Sequence, residues 1–266
     1  MLLKKFFVII VFLALTSLGS TIPPNIASKI PPKTLQILDN VPLNLSKNCA
    51  SALQEVITNP EILNCIPLVA ILPILPIITD PNFFSSIKQN PKKLLDYLPQ
   101  LDQFSDILCG VPKCSNKSVQ GAINTIKDGC NEDLKEKDTT AQIAFGSAVF
   151  FSPVRDITCF KVIDKDKYCK DETAKVVLDL PNSPINITHN AIIDAVIVSV
   201  PKIICTRCNK DIVNTLFNFL NNNYLALNLL ASMGIDQSLI DKTKVGVAFK
   251  CGIEFEDGIV PDLPSN

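Results

Sequence analysis

The residues best suited to chemistry form the motif Cys205-Thr206-Arg207-Cys208. Two thiols at this spacing at a helix start can exchange with a substrate disulfide, because the helix dipole and nearby positive charge lower the pKa of the first thiol. Arg207 supplies such a charge, and the apolar run Val196–Ile204 could be the preceding strand. However, Pro201 interrupts that run, and the remaining chain shows no alternation of strands and helices. The motif therefore predicts structural half-cystines, with thiol–disulfide exchange as the alternative.

Other catalytic arrangements have less support. A serine or cysteine triad needs a histidine base, and the single histidine, His189, follows the sequon Asn186-Ile187-Thr188 in a polar loop. A zinc site would need cysteines as almost every ligand, and in an exported chain these oxidise. The acidic runs Asp164–Lys167 and Glu254–Asp257 alternate with lysine or lie near the C-terminus, unlike the paired carboxylates of a glycosidase. We expect no catalytic residue, metal or cofactor.

The cysteines themselves predict a disulfide framework. Ten are present, which allows five bridges in an oxidising compartment. The two sixteen-residue spacings, Cys49 to Cys65 and Cys114 to Cys130, would let two antiparallel segments join through Cys49–Cys130 and Cys65–Cys114. This is one choice among about 945 possible pairings. The predicted half-cystines are Cys49, Cys65, Cys109, Cys114, Cys130, Cys159, Cys169, Cys205, Cys208 and Cys251.

The N-terminus predicts export. Lys4 and Lys5 precede the apolar run Phe6–Leu15, and small residues at Ser17 and Gly19 suit cleavage after residue 19. The run is too short to span a bilayer comfortably, and the C-terminus shows no apolar tail, so we expect no stable membrane anchor. Three glycosylation sequons agree with export, at Asn44, Asn116 and Asn186.

The elements that must position these residues are predicted to be mainly α-helical, in a disulfide-stapled multi-helix domain. We expect a signal peptide over residues 1–19, an extended lead-in over 20–47, a cysteine-rich helical domain over 48–222 and a C-terminal helical extension and tail over 223–266. Apolar residues at helical spacing and capping signals predict helices that begin near Cys49, Asn59, Pro99, Ser115, Phe150, Tyr168, Cys205 and Tyr224.

Three segments do not show the pattern of a regular amphipathic helix. The apolar run Ile66–Ile78 contains three prolines and predicts short buried helical turns. Alternation in Val245–Phe255 predicts a short strand around Cys251. The β-branched run Ile192–Val200 could be a strand or a buried helix.

Composition excludes several partners. The net charge is −1, and about −3 without Lys4 and Lys5, which provides no basic surface for nucleic acid or anionic lipid. Tryptophan is absent, which excludes a carbohydrate platform of stacked indoles. We therefore expect no nucleic-acid partner.

The order of the cysteine motifs resembles a family of fungal secreted cysteine-rich proteins whose function is uncharacterised. The resemblance covers roughly residues 48–222 and rests on a series of short motifs, namely Asn48–Leu53, Leu108-Cys109, Lys113–Ser115, Gly129–Leu134, Val154–Cys159, Tyr168–Thr173 and Ile204–Cys208. It implies export, a helical cysteine-stapled domain and a fungal source, and it implies no known reaction.

Together these features predict a secreted, non-catalytic binding or structural module with an unknown extracellular partner at a cell wall or host surface. Such a module should expose an apolar or charged patch. A small-lipid or sterol carrier is the first alternative, because Ile66–Ile78 and Leu225–Leu230 supply apolar surface for a possible small ligand. A thiol–disulfide oxidoreductase that uses Cys205 and Cys208 is the second alternative.

Overall fold

The computed structural model describes residues 45–66, 89–162, 167–178, 204–232 and 234–261, with single residues at 70, 73, 74, 77, 83 and 86. The elements in these ranges are helical, which confirms the predicted fold class. The helix predicted to begin near Phe150 is longer than expected, because it begins at Thr139. The α-helices are α1 (Lys47–Thr58), α2 (Pro60–Cys65), α3 (Leu98–Cys109), α4 (Asn116–Gly129), α5 (Asn131–Lys135), α6 (Thr139–Cys159), α7 (Cys169–Leu178), α8 (Arg207–Asn221), α9 (Tyr224–Ser232) and α10 (Gln237–Cys251). Two 3-10 helices cover Pro91–Tyr97 and Ile253–Glu256. Among these described helices, none is both long enough and apolar enough to cross a bilayer.

The chain divides into two compact units. Of the described residues, those up to residue 77 and those in 103–152 form the first unit, and those in 83–102 and 153–261 form the second. The predictions for the signal peptide, the lead-in up to residue 44 and the segment Ile192–Val200 concern residues outside the described ranges. Most of the run Ile66–Ile78 also lies outside them.

Local capping signals set the helix starts of the first unit. Ser46 Oγ accepts a hydrogen bond from the Cys49 N–H at 3.2 Å and begins α1. Asn59 Oδ1 accepts from the Glu61 N–H at 2.9 Å, with a proline at the next position, so α2 starts where the sequence predicts. Ser115 caps α4 in the same way. These side chains satisfy backbone N–H groups that a helix start leaves without intrahelical partners.

Helices α1 and α4 pack closely in the first unit. Their facing residues are fully buried, including Cys49, Leu53, Ile126 and Cys130. A Cβ atom added to Gly129 would lie 2.3 Å from the Ala52 Cβ, so only glycine permits this approach. Ile123 and Ile126 on α4 and Cys130 at its end are therefore buried.

The second unit gathers segments that are distant in sequence. Its described core contains Phe160, Cys169 and Cys208, and four half-buried apolar residues pack against it, namely Ile157, Val162, Ile212 and Val260. The Cys169 N–H donates to the Phe160 carbonyl, and the Val162 N–H donates to the Lys167 carbonyl. With the isolated antiparallel bridge between Lys161 and Tyr168, these hydrogen bonds connect the end of α6 to the start of α7. Helix α8 contacts α7, α9 and the C-terminal 3-10 helix.

The strand predicted for Val245–Phe255 is wrong. Asp236 caps α10, and the helix continues to Cys251, followed by a 3-10 helix. Gly252 ends α10 with φ of 93°, a left-handed backbone that favours glycine. The alternation was misleading because it does not mark a buried sheet face, since Val245 and Phe249 are exposed on the helix.

Candidate functional site

The Cys205–Cys208 motif lies at the start of α8, where the sequence places it. Thr206 is the N-cap and its hydroxyl accepts a hydrogen bond from the Asn209 N–H at 3.2 Å. Arg207 does not lie beside a free thiol as a catalytic cation. Its Nε donates to Asp211 Oδ1 at 3.0 Å, one helical turn further on. Both residues inside the motif therefore stabilise the helix start.

The two cysteines of the motif are bonded to different partners. Cys205 pairs with Cys251, and Cys208 pairs with Cys169. Cys208 is 3% exposed, so solvent hardly reaches its side chain. A thiol–disulfide exchange site of this spacing needs its two sulfurs to form one accessible disulfide with each other. The two observed disulfides instead connect the start of α8 to α7 and to α10.

The remaining cysteines complete the framework. Cys49 pairs with Cys130 and Cys65 pairs with Cys114, so both bridges of the predicted antiparallel pairing are confirmed. Cys109 and Cys159 are disulfide-bonded as well, so all ten cysteines are oxidised and none is free. Within the described residues, no group of three or more histidine, cysteine or acidic side chains could hold a metal ion.

A polar face on α8 was not recognised in the sequence. Lys210, Asn214 and Asn218 recur every four residues, and we call them the α8 polar ladder. Lys210 Nζ lies 2.5 Å from Asp257 Oδ2, the Asn214 amide donates to Asp257 Oδ1 at 3.0 Å, and the Asn218 amide donates to the Gly258 carbonyl at 2.8 Å. The ladder therefore holds the C-terminal segment against α8.

The buried residues of α8 include polar side chains. Asn214 is 1% exposed and Asp211 and Thr215 are also buried, whereas Leu216 and Phe219 are only half-buried. These polar side chains tolerate burial because each has a partner, with Asn214 also donating to the Ile259 carbonyl at 3.2 Å. In the sequence, the signal for this polar face was the spacing of four residues between Lys210, Asn214 and Asn218.

The acidic side chains near the C-terminus act as structural partners. Hydrogen bonds from Lys210 and the Ile259 N–H hold the pKa of the Asp257 carboxyl below its usual range. Burial raises the pKa of Glu256, which Lys244 partly opposes. The other acidic run, Asp164–Lys167, lies almost entirely outside the described residues.

A second charged cluster joins α3 to α7. Lys170 Nζ forms ion pairs with Asp102 and, at 3.2 Å, with Asp171, and it lies 4.2 Å from the ring centre of the buried Tyr168. Burial raises the pKa of Asp171, Lys170 opposes the rise, and Asp102 adds to it. The lysine thus bridges two carboxylates while its charged end lies over an aromatic face.

One predicted sequon lies in the described structure. Asn116 is exposed at the first position of α4, so its side chain is accessible. The third residue of this sequon, Ser118, is buried, and its hydroxyl donates to Glu61 Oε2 at 2.6 Å. Ser118 therefore also has a structural role that connects α4 to α2. Asn44, Asn186 and His189 lie outside the described residues.

An exposed apolar surface lies at the C-terminal end of the second unit. Val245 and Phe249, one turn apart on α10, are 69% and 80% exposed, and Ile253 is 83% exposed just beyond the helix. We call these three residues the apolar stripe. Large apolar side chains that are this exposed and close together in the chain are typical of interaction surfaces.

The helices of the described residues and the cysteine framework define the class of this chain as a mainly helical protein stabilised by disulfides. Residues 36–255 match the family model DUF7729, described as a domain of unknown function, and the chain belongs to that family. A search of curated proteins and a search of solved structures each find no match.

Proposed function

We propose that this protein is an exported, non-catalytic binding or structural module that acts at a cell wall or host surface. The five disulfides are typical of an extracellular protein. The basic and apolar N-terminal pattern and the three sequons support export, and the resemblance to fungal secreted proteins supports a fungal source.

The pairing of Cys205 and Cys208 with separate partners carries this proposal. Of all the motifs in the sequence, this one had the clearest route to a reaction, and both of its sulfurs are held in structural bridges. The Asp102–Lys170–Asp171 cluster likewise connects α3 to α7, and the α8 polar ladder holds the C-terminal segment against α8. The apolar stripe is the feature of the described residues that suits contact with another molecule.

Neither alternative function has an observation in its favour. For the lipid carrier, the run Leu225–Leu230 would have to face a ligand, but Ala226 and Leu230 on α9 are buried in the protein itself. For the oxidoreductase, the necessary disulfide between Cys205 and Cys208 is absent, since both cysteines have other partners.

The test is a binding assay with the natively secreted protein. We expect recovery from culture medium and saturable sedimentation with insoluble cell-wall material or with host cells, and no acceleration of insulin reduction by dithiothreitol. Protein that has been reduced and alkylated is the matched control and should not sediment, because the bridges maintain the fold. Two results would contradict the proposal, namely one-to-one micromolar binding of a fluorescent sterol without surface binding, or insulin reductase activity.

A further inference from the structure

The apolar stripe on α10 has charged side chains at both of its ends. Lys242 is exposed three residues before Val245, and Glu254 is exposed directly after Ile253. A helix rises about 1.5 Å per residue, so the nine steps from Lys242 to Cys251, the last residue of α10, span roughly 14 Å. The stripe is therefore a short apolar surface with a base at one end and an acid at the other.

We propose that the apolar stripe is the contact surface for a second copy of this chain, related by a two-fold axis near Phe249. A two-fold axis places the two α10 helices antiparallel, so each end of one stripe meets the opposite end of the other. Lys242 of each copy then lies beside Glu254 of its partner, and the two Phe249 side chains meet at the centre. The surface is complementary to itself in both charge and hydrophobicity.

A parallel arrangement suits these charges less well than an antiparallel one. It would place Lys242 of one copy beside Lys242 of the other and Glu254 beside Glu254, and like charges placed together are unfavourable.

A lipid surface suits the stripe less well than a second copy. Helices that lie in the membrane interface carry lysine and arginine along their polar side, which anionic lipids attract. Here Glu254 lies at one end of the stripe, and Glu256 and Asp257 follow it in the chain. These carboxylates oppose contact with an anionic membrane, and Glu254, whose side chain is exposed, can pair with Lys242 of a second copy.

The small size of the apolar stripe predicts how strongly two copies associate. Stable interfaces bury about 1,200–2,000 Å² in total, and three apolar side chains on each copy supply only the centre of such an area. The association should therefore be weak and concentration-dependent. This inference rests on the proposed function only in its premise that the protein acts through an interaction surface. Dimerisation and wall binding are measured in separate experiments, so the failure of one can be distinguished from the failure of the other.

The experiment is sedimentation equilibrium of the natively secreted protein from a few micromolar to several hundred micromolar. We expect the average mass to rise from one chain to two, and Phe249→Asp to raise the dissociation constant at least tenfold. Tyr224→Asp is the matched control, because Tyr224 is 77% exposed but lies on α9. It should dimerise like the parent, and all variants should keep the parent's melting temperature.

A charge exchange tests the two-fold arrangement. Lys242→Glu and Glu254→Lys should each weaken dimerisation at least threefold, because each creates like-charged pairs across the axis. An equimolar mixture of the two variants should restore parent-like dimers, since both pairs are then of opposite charge.

Three results would overturn the inference: a parent that stays monomeric at the highest concentration, parent-like dimers of Phe249→Asp, or a mixture that does not recover. Binding of the monomeric parent to phosphatidylcholine vesicles, lost in Phe249→Asp, would assign the stripe to lipid and also overturn it. Wall binding without dimerisation would leave the proposed function intact while rejecting this inference.

Discussion

The two compact units use their disulfides differently. In the first unit, the loop closed by Cys65–Cys114 lies inside the loop closed by Cys49–Cys130. These two bridges connect two antiparallel segments, one bridge at each end of the pair. In the second unit, Cys169–Cys208 and Cys205–Cys251 overlap in sequence and meet at the start of α8. The nested bridges connect the same two segments of the first unit. The overlapping bridges instead connect the start of α8 to two elements that are distant in sequence, α7 and α10.

The polar interactions differ in the same way. In the first unit, Ser46 donates to Asp133 through both its N–H and its hydroxyl, at 2.7 and 2.6 Å, which reinforces a helix cap. In the second unit, buried Asn214 and Asp211 replace part of the apolar face of α8. The first unit therefore depends mainly on apolar helix packing, and the second depends more on specific polar contacts. Each prediction below tests this contrast.

The largest effect is expected from the double variant Cys205→Ser, Cys208→Ser. It removes both bridges of the overlapping pair and leaves Cys169 and Cys251 unpaired. The loss of a native disulfide typically costs roughly 2–5 kcal/mol, so secreted yield and melting temperature should fall sharply. Cys205→Ser, Cys251→Ser is the control and should lose only one such increment, because it leaves no unpaired thiol. Free thiols are titrated in denaturant and should be absent from the parent.

A stable double variant beside a parent that accelerates insulin reduction would falsify the structural role of the motif. A parent with two or more free thiols per chain would contradict the complete pairing of the ten cysteines.

The second prediction concerns close helix packing in the first unit. Gly129→Ala places a Cβ 2.3 Å from the Ala52 Cβ and 3.2 Å from the Asn48 carbonyl, so the helices must separate. Overpacking of this kind costs roughly 1–3 kcal/mol, measured by urea unfolding. Gly121→Ala on the same helix meets nothing within 4 Å and should be neutral or stabilising by up to about 1 kcal/mol. Equal effects of the two variants would show that α1 and α4 do not approach closely.

The third prediction concerns the polar contacts of the second unit. Asn214→Ala removes two hydrogen bonds from a fully buried amide, to Asp257 and to the Ile259 carbonyl. Leaving buried polar groups without partners costs roughly 1–3 kcal/mol. Asn222→Ala is the control, because that exposed amide bonds only to the Asn218 carbonyl of its own helix, and it should change stability by less than about 0.5 kcal/mol. Similar unfolding midpoints for both variants would mean that the ladder adds little.

The smallest effect expected is a difference in pH dependence between the units. Burial acts to raise the pKa of Asp133, but the two hydrogen bonds from Ser46 outweigh it and the pKa falls below its usual value. Asp133 therefore contributes stability above the pKa of the unfolded chain, and this is lost as the pH falls through the folded pKa. Burial raises the pKa of Asp171. Its contribution is present below the unfolded pKa and is lost as the pH rises through the folded pKa.

The variants Asp133→Asn and Asp171→Asn separate these contributions in urea unfolding at pH 3 and pH 6. The destabilisation by Asp133→Asn should be roughly 1 kcal/mol at pH 6 and smaller at pH 3. The destabilisation by Asp171→Asn should instead be larger at pH 3 than at pH 6. Glu132→Gln, at the exposed neighbour of Asp133, should show no such change. If the destabilisation by both variants changed in the same direction between pH 3 and pH 6, the contrast between the units would be contradicted.

The sequence by itself determined the helical class, most helix starts and the oxidised state of the cysteines. These depend on local chemistry, such as Ser115 capping α4 and Asn59 and Pro60 starting α2. Equal spacing of Cys49, Cys65, Cys114 and Cys130 was enough to predict their pairing, because antiparallel segments of equal length can be joined at both ends.

Only the tertiary structure decided the partners in the second unit. Cys205 and Cys208 are separated by two residues, and nothing local distinguishes a bond between them from bonds to Cys251 and Cys169. The helical state of Val245–Phe255 was also hidden, because its apolar residues are exposed and so do not follow the rule that links periodicity to burial. Long-range contacts, such as Asn214 with Asp257, determine which polar groups can be buried, and a local pattern does not contain that information.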